Sequence, residues 1–248
     1  MAYLRFTSNK ICPIFAYSLR KMIQSIKVSV DAVVFGYDSE EGVSVLLIKR
    51  RFEPFQKFWA LPGGLVKDEE SLEQAVSRKL KEEAGIDVNY LEQLYSFGKP
   101  GRDPRNRVLS VAYYGLVRPK DFQISAQMDA EDVAWFNIKK IPKLAFDHKQ
   151  IVELAVKRLQ GKIAYEPIGF ELLDKRFPFS DLEKLYQALL GRDLDRRNFK
   201  KKIMGYGFLE ELNESTHRGV GRPAVLYQFN KKTYFDLKEN GYNFDLFL

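Results

Sequence analysis

Stretches rich in Val, Ile and Leu recur through the first part of the chain, each of strand length and bounded by polar or glycine-containing turns. They predict five β-strands, at residues 27–37, 43–50, 91–98, 108–117 and 132–137. Apolar residues at helical spacing predict an amphipathic helix over residues 71–84 and a second helix over 146–160, with Gly161 as its C-cap. Strands and helices interleaved in this order predict an α/β fold.

Beyond residue 165 the pattern changes to two helices followed by two strands. Ser180 and Glu183 have the spacing of a capping box, which predicts a helix from about residue 179 to 190. A tight turn separates it from a second helix at about 195–204, and strand-like segments at 208–212 and 224–230 flank a basic loop at 216–223. Helix, turn, helix and a β-ribbon with a basic tip make the layout of a winged helix-turn-helix.

Length and charge narrow the class of protein. At 248 residues the chain accommodates two modest domains, and its net charge of +7 permits a polyanionic partner without requiring one. The single cysteine, Cys12, excludes an internal disulfide framework and favours the cytoplasm, and no apolar run approaches the roughly 20 residues that span a bilayer. We expect an N-terminal extension of unknown role at residues 1–24 and domains at 25–160 and 161–248. Whether residues 1–21 belong to the native protein stays open, because Met22 directly precedes the first strand.

A glycine-led acidic segment that runs into the first helix carries a motif. Its members stand at fixed intervals: Gly64, Glu70, Arg78, Leu80, Glu82, Glu83, Gly85 and Ile86. This spacing resembles the Nudix box, the metal-binding loop-helix-loop of enzymes that hydrolyse nucleoside diphosphates linked to another group. The resemblance covers about residues 25–160 and implies a Nudix α/β/α sandwich with a mixed sheet.

One position of the box departs from the family pattern, because Lys79 stands where the family has a glutamate. In the family that glutamate is a metal ligand or general base, and a protonated lysine does neither. In an active enzyme Glu70, Glu82 and Glu83 would serve catalysis on Mg2+, with Glu82 and Glu83 as metal ligands. We expect hydrolysis to be weak or lost. The same charges also fit a solvated, salt-bridged helix face.

Residues 98–114 form a second charged segment, in which arginines and an aspartate cluster before a strand. The segment resembles one shared by NrtR-type regulators and ADP-ribose pyrophosphatases. Arginines offer paired donors to a diphosphate, and a carboxylate accepts from ribose hydroxyls. We predict an effector-binding set that also includes two arginines from the first sheet edge: Arg50, Arg51, Arg102, Asp103, Arg105 and Arg107. A charged hairpin loop is the plainer interpretation of this segment.

The second helix of the C-terminal pair concentrates five cations. Arginine, lysine and asparagine suit phosphate neutralisation and base edges in the major groove, while Phe199 and Ile203, four apart, are placed to anchor the opposite face in the core. Two further arginines lie on the loop between the strands. We predict DNA contacts by Arg196, Arg197, Asn198, Lys200, Lys201, Lys202, Arg218 and Arg222. An ordinary surface helix with an exposed loop is the alternative.

Both halves together resemble the Nudix-related transcriptional regulators, the family that includes NrtR and the arabinose regulator AraR, over about residues 25–235. The resemblance implies a homodimer that binds a palindromic operator on double-stranded DNA and releases it when a small molecule occupies the Nudix domain. It implies no cofactor for DNA binding and leaves room for Mg2+ in the Nudix domain. The effector stays open between ADP-ribose, another nucleotide derivative and a pentose, and so between NAD and sugar metabolism. Repression and activation also stay open, and the runner-up function is an Mg2+-dependent ADP-ribose pyrophosphatase.

Overall fold

The computed structural model describes residues 25–88, 91–216, 223–242 and 244. The strands are β1 Lys27–Asp38, β2 Gly42–Arg50, β3 Trp59–Ala60, β4 Gly63–Leu65, β5 Leu91–Phe97, β6 Val108–Val117, β7 Ala130–Asn137, β8 Phe177–Pro178, β9 Leu209–Thr216 and β10 Ala224–Phe229. The helices are α1 Leu72–Ala84, α2 His148–Lys162, α3 Phe179–Leu190, α4 Arg196–Gly205 and α5 Lys231–Glu239.

The longest strand, β1, lies at the centre of a mixed seven-stranded sheet. The strand order is β3-β2-β1-β6-β5, with β4 also paired to β1 and β7 to β2. β1 and β6 run parallel, whereas the other pairs of this sheet run antiparallel. Because side chains alternate along a strand, Val30, Ala32 and Val34 pack on the α1 side and Val33 and Phe35 on the α2 side. One helix on each face makes the α/β/α sandwich, so the predicted fold class is confirmed.

The C-terminal part is a winged helix. β8, β10 and β9 form a three-stranded antiparallel sheet against α3 and α4. Gly191 ends α3 in the left-handed conformation (φ 67°), which allows the tight turn into α4. Phe199 and Ile203 are buried (4% and 0% exposed), as their spacing predicts. One hydrophobic cluster continues from Phe35 of β1 through α2 into this aromatic core, so the two parts pack against each other.

Two predicted helix caps are wrong. α2 continues through Gly161 to Lys162, because Gly161 keeps a helical conformation and the cap falls on Ile163. Ser180 does not cap α3. That helix begins at Phe179, as predicted, but the extended Pro178 holds the N-cap position and no side chain caps the helix.

Three short strands, β3, β4 and β8, and the helix α5 have no counterpart in the sequence prediction. Their brevity explains this for the strands, since two or three residues carry no periodicity. β9 reaches Thr216, four residues beyond the predicted end at 212. The basic tip with Arg218 and Arg222 lies outside the described residues. Among the helices described above, none combines the length and apolar character needed to cross a bilayer.

Candidate functional site

A cleft of about 590 Å³ lies between α1, β4 and the loop that precedes β6. Six cationic and four acidic side chains line it: Lys27, Arg50, Lys67, Arg78, Lys79 and Arg105, with Glu53, Glu83, Asp103 and Asp129. A smaller cavity of about 90 Å³ shares part of this lining and extends inward to Asp31, Arg102 and His148. The larger cleft has the volume of a small-molecule site. Its excess of cations favours an anionic ligand.

Glu70 and Arg78 of the box fasten its loop to α1. The Arg78 guanidinium donates to both Glu70 carboxylate oxygens, at 2.8 and 2.5 Å, and a third bond of 3.2 Å reaches the Leu65 carbonyl. The hydrogen bonds from Arg78 lower the pKa of Glu70 from 4.5 to about 2. Arg78 also contacts Glu82 at 3.0 Å. Glu70, predicted as a catalytic residue of an active enzyme, thus holds the loop conformation through a charged, paired hydrogen bond.

Lys79 lies in the middle of the acidic face of α1. Its Nζ is 3.1 Å from Glu83 Oε1 and 3.5 Å from both Glu82 Oε2 and Asp129 Oδ2. Burial works against the charge on Lys79, but the three carboxylates outweigh it and raise the pKa of Lys79 above its usual range. The side chain is therefore an ammonium at neutral pH, held by three carboxylates.

Glu83 is the most enclosed carboxylate of the box, with only 2% of the residue exposed. It accepts from Lys79 Nζ and, at 3.0 Å, from the Gly63 backbone N–H. Burial raises the pKa of Glu83, and the Lys79 ammonium and the Gly63 N–H act in the opposite direction. Gly64 also belongs to this packing, since a Cβ there would lie 2.4 Å from Lys79 Cε. The glycine at position 64 therefore leaves the space that the Lys79 side chain occupies.

The fold family implies a divalent metal on this face, and the residues present do not fit one. Mg2+ takes oxygen ligands at about 2.0–2.1 Å in a near-octahedral shell, whereas Lys79 Nζ already stands between the oxygens of Glu82, Glu83 and Asp129. At about 4 Å and an effective dielectric near 20, one ammonium repels a divalent cation by roughly 8 kcal/mol. Over the described ranges, no group of three or more His, Cys, Asp or Glu side chains is arranged to hold a metal. The predicted ligation of a metal by Glu82 and Glu83 in this chain stays a prediction.

The structure brings four of the six predicted effector residues to the cleft or its inner cavity: Arg50, Arg102, Asp103 and Arg105. Arg50 donates to the Pro54 carbonyl at 2.9 Å, and its guanidinium lies 4.9 Å from the Phe146 ring centroid. Arg105 forms a paired contact with Asp103, at 3.0 and 2.8 Å. The other two lie outside the lining: Arg51 donates to the Ala130 carbonyl and Arg107 to that of Gly98.

Arg102 points inward instead. Only 5% of its side chain is exposed, and it donates to both carboxylate oxygens of Asp147, at 2.9 and 2.6 Å, and to Asp31 at 3.2 Å. Asp31 also accepts from the Ser110 hydroxyl at 2.5 Å. These bonds join β1, β6 and the start of α2 beneath the cleft, so Arg102 positions the site rather than facing its opening.

His148, the first residue of α2, completes this buried network. Its Nδ1 accepts from the Leu61 backbone N–H at 2.8 Å, which places the imidazole proton on Nε2, 3.6 Å from Asp31. Burial lowers the pKa of His148, so the ring is neutral at pH 7. Sequence reasoning did not assign Asp31 to the site. The one available signal was a single acid within the apolar run of β1.

The exposed face of α4 carries the predicted DNA-contacting side chains. Asp195 caps the helix by accepting from the Asn198 backbone N–H at 2.9 Å. Arg196, Arg197, Asn198, Lys200 and Lys201 are exposed, and Lys202 is half-buried. Five of the six predicted residues of this helix are therefore exposed to solvent, whereas Phe199 and Ile203 are buried in the core.

Arg196 and Lys200 also have partners within the fold. Arg196 Nε lies 3.4 Å from Glu183 of α3. Lys200 Nζ donates to the Tyr227 hydroxyl at 3.1 Å, and that hydroxyl donates to Glu211 at 3.1 Å. Lys200 thus joins α4 to the base of the β9–β10 ribbon. Contacts of this kind fix the helix orientation, which a DNA-reading element requires.

Two family models match the chain. The NUDIX domain model matches residues 26–155, and the NrtR DNA-binding winged helix domain model matches residues 169–229. A curated relative, the ADPR responsive transcriptional repressor NtrR of Acinetobacter baylyi, is 35% identical over 210 residues, which cover 83% of this chain and 83% of that protein. The chain belongs to the NrtR family of Nudix-related transcriptional regulators.

Solved structures of NrtR from Shewanella oneidensis have the same architecture. The complex of that protein with a 27mer DNA has a TM-score of 0.73 at 32% identity and covers 88% of this chain and 97% of that chain. The Nudix domain of the same protein complexed with ADP ribose has a TM-score of 0.50 at 37% identity, over 58% of this chain and 97% of that chain. The order of a Nudix domain and then a winged helix is therefore that of the NrtR family.

Proposed function

We propose that this NrtR-family protein is a transcriptional repressor that binds operator DNA through its winged helix and releases it when ADP-ribose enters the Nudix cleft. The observation that carries the proposal is one chain with both a cation-lined cleft and an exposed basic helix α4. A relative is named as ADPR responsive, and the Nudix domain of another was crystallised with ADP ribose. These facts favour ADP-ribose over a pentose, because an unphosphorylated sugar gives the cations no charge to neutralise.

In the proposed complex, Arg50 and Arg105 donate to the diphosphate and Asp103 accepts from a ribose hydroxyl. Arg105 is held by Asp103 in the described structure, so the ligand takes over part of that contact. Arg102 acts indirectly by holding the loop in place. Arg51 and Arg107 lie beyond the cleft lining, so we assign them no contact with the effector.

We propose that the protein works in the cytoplasm as a homodimer, with an effector-binding domain at residues 25–160 and a DNA-binding domain at 161–248. Each α4 enters the major groove of one half of a palindrome, where Arg197, Asn198 and Lys201 face the DNA. Arg218 and Arg222 of the wing contact the adjacent backbone or minor groove. Half-sites then lie about one helical turn apart, or a multiple of it.

Helix α2 offers a route from cleft to DNA. Asp147, at its start, is bound by Arg102 beneath the cleft. Gln160, near its end, donates to the Leu189 carbonyl of α3 at 2.9 Å. A ligand that shifts the loop carrying Arg102 therefore moves α2 against the winged helix and changes the separation of the two recognition helices.

We further propose that hydrolysis of ADP-ribose is weak or absent, because Lys79 holds the carboxylates that the reaction needs. Measured release of AMP and ribose 5-phosphate tests this. Appreciable release that Glu83→Gln abolishes would favour the pyrophosphatase instead. A gain of release in Lys79→Glu is the result we expect if the lysine alone silences the box.

Fluorescence anisotropy with DNA from the protein's own gene neighbourhood tests the regulatory proposal. We expect sequence-selective, salt-sensitive binding that ADP-ribose reverses and arabinose does not. A chain without selective DNA binding would contradict the proposal. Release by arabinose alone would replace the effector and keep the regulator.

A further inference from the structure

Lys79 stands at the position of the box where the family pattern has a glutamate that binds metal or acts as general base. Three carboxylates from two segments converge on Lys79 Nζ within 3.5 Å, two from α1 and one from Asp129. The side chain is almost wholly buried, with 9% of the residue exposed, and its stem passes over Gly64. A surface lysine with a chance partner has neither this enclosure nor three acidic neighbours. The position is therefore built around a fixed positive charge.

We propose that Lys79 replaces the divalent cation of the Nudix site, so that the effector's diphosphate is bound by protein cations alone and the response needs no metal. The inference rests on the proposed function for the identity of the effector and adds how its charge is met. Lys79 offsets the acidic face of α1, and Arg50 and Arg105, which line the same cleft, supply the donors to the phosphates.

Displacing Lys79 to admit Mg2+ is unfavourable for two reasons visible in the structure. The Lys79 ammonium is buried and would lose its carboxylate partners to the metal while standing next to a second positive charge. The oxygens around Nζ stand at 3.1 and 3.5 Å from it, and would have to close in by about 1 to 1.5 Å to reach the distances that Mg2+ requires. Metal and lysine therefore exclude each other at this position.

Calorimetric titration of the full chain with ADP-ribose, once in Mg2+ and once in excess EDTA at equal ionic strength, tests the inference without any variant. We expect dissociation constants that agree within about twofold. Binding more than about tenfold tighter in Mg2+ would overturn metal independence and leave the effector proposal standing. No binding under either condition would overturn the proposed effector, and this inference with it.

Lys79→Glu restores the acid of the family pattern and provides the converse test. We expect its ADP-ribose affinity in EDTA to fall by about tenfold or more and to recover in Mg2+. Thermal melting gives an independent readout, since Mg2+ should raise the Tm of this variant and leave that of the parent chain unchanged. Lys81→Met, which removes an exposed lysine from the same helix, is the matched control and should behave as the parent in all measurements. A parent chain whose Tm also rises with Mg2+, or a Lys79→Glu variant indifferent to Mg2+, would overturn the exclusion of metal by Lys79.

Discussion

Two arginines three residues apart, Arg102 and Arg105, should have different effects when replaced by methionine. The first replacement should lower the stability of the protein, and the second should weaken its binding of ADP-ribose. Arg102 is enclosed, and its removal leaves Asp31 and Asp147, with side chains 8% and 15% exposed, without their cation. Breaking a buried ion pair from one side destabilises a protein by about 3–5 kcal/mol. For a chain of this size that lowers the Tm by roughly 6–20 °C. Arg102→Met should therefore be a stability variant.

Arg105 has a side chain that is 51% exposed and paired with Asp103. Exposed pairs contribute about 0–1 kcal/mol, so Arg105→Met should change the Tm by at most about 4 °C. If Arg105 binds the diphosphate, the lost charged hydrogen bonds weaken ADP-ribose by about 1.5–3 kcal/mol, roughly 10- to 150-fold. Arg105→Met should therefore be a binding variant.

Circular dichroism melting and calorimetric titration in one buffer separate the two. Arg107→Met is the control, because the Arg107 guanidinium donates to the Gly98 carbonyl and lies outside the cleft lining. It should change neither the Tm nor the ADP-ribose affinity appreciably. An Arg102→Met protein that melts within about 2 °C of the parent would refute the role given to the buried network. Unchanged ADP-ribose affinity in Arg105→Met would remove Arg105 from the effector site.

Three further outcomes are expected. Arg197→Ala should weaken operator binding and reduce the slope of log K against log salt concentration by about one. Lys149→Ala on α2 is the control and should change neither. If a salt titration gave the same slope for Arg197→Ala and the parent, Arg197 would make no phosphate contact. Phe199→Ala should destabilise the winged helix by about 3–5 kcal/mol, because the ring is 4% exposed and packs on Phe179 and Tyr186; a melt unchanged from the parent would contradict that packing. The bond to Arg78 lowers the pKa of Glu70 from 4.5 to about 2, so the stabilisation is full above pH 4.5 and is lost as the pH falls through about 2. The Tm difference between the parent and Glu70→Gln should follow that course in melts at several pH values, and a difference that grows towards pH 2 would count against it.

The hydrophobic periodicity of the sequence predicted the helices and strands well, but it predicted their end residues less well. β6 occupies residues 108–117 as predicted, because its apolar run is long and bounded by charge. The ends depend on single backbone conformations instead. Gly161 could have adopted the left-handed cap and did not, while Ser71, with Gln74 as its reciprocal partner, forms the capping box that was expected at Ser180.

The sequence alone predicted the contacts of the candidate site only where the contacting residues lie close together in the chain. Lys79, Glu82 and Glu83 are one helical turn apart, so their proximity follows from spacing. The partners of Arg102 lie 71 and 45 positions away in the chain, and only the sheet and the docking of α2 bring them together. The sequence therefore predicted that Arg102 binds the effector, whereas in the fold its side chain is buried and holds Asp31 and Asp147 beneath the cleft.

Operator release by ADP-ribose in the absence of metal tests the central claim most directly. The measurement is fluorescence anisotropy of the full chain on labelled operator DNA, titrated with ADP-ribose in excess EDTA. A sensor that has replaced its metal with Lys79 should release the DNA, and should do so at the same ADP-ribose concentration when Mg2+ replaces EDTA. DNA that stays bound at saturating ADP-ribose in EDTA and is released only in Mg2+ would contradict the account.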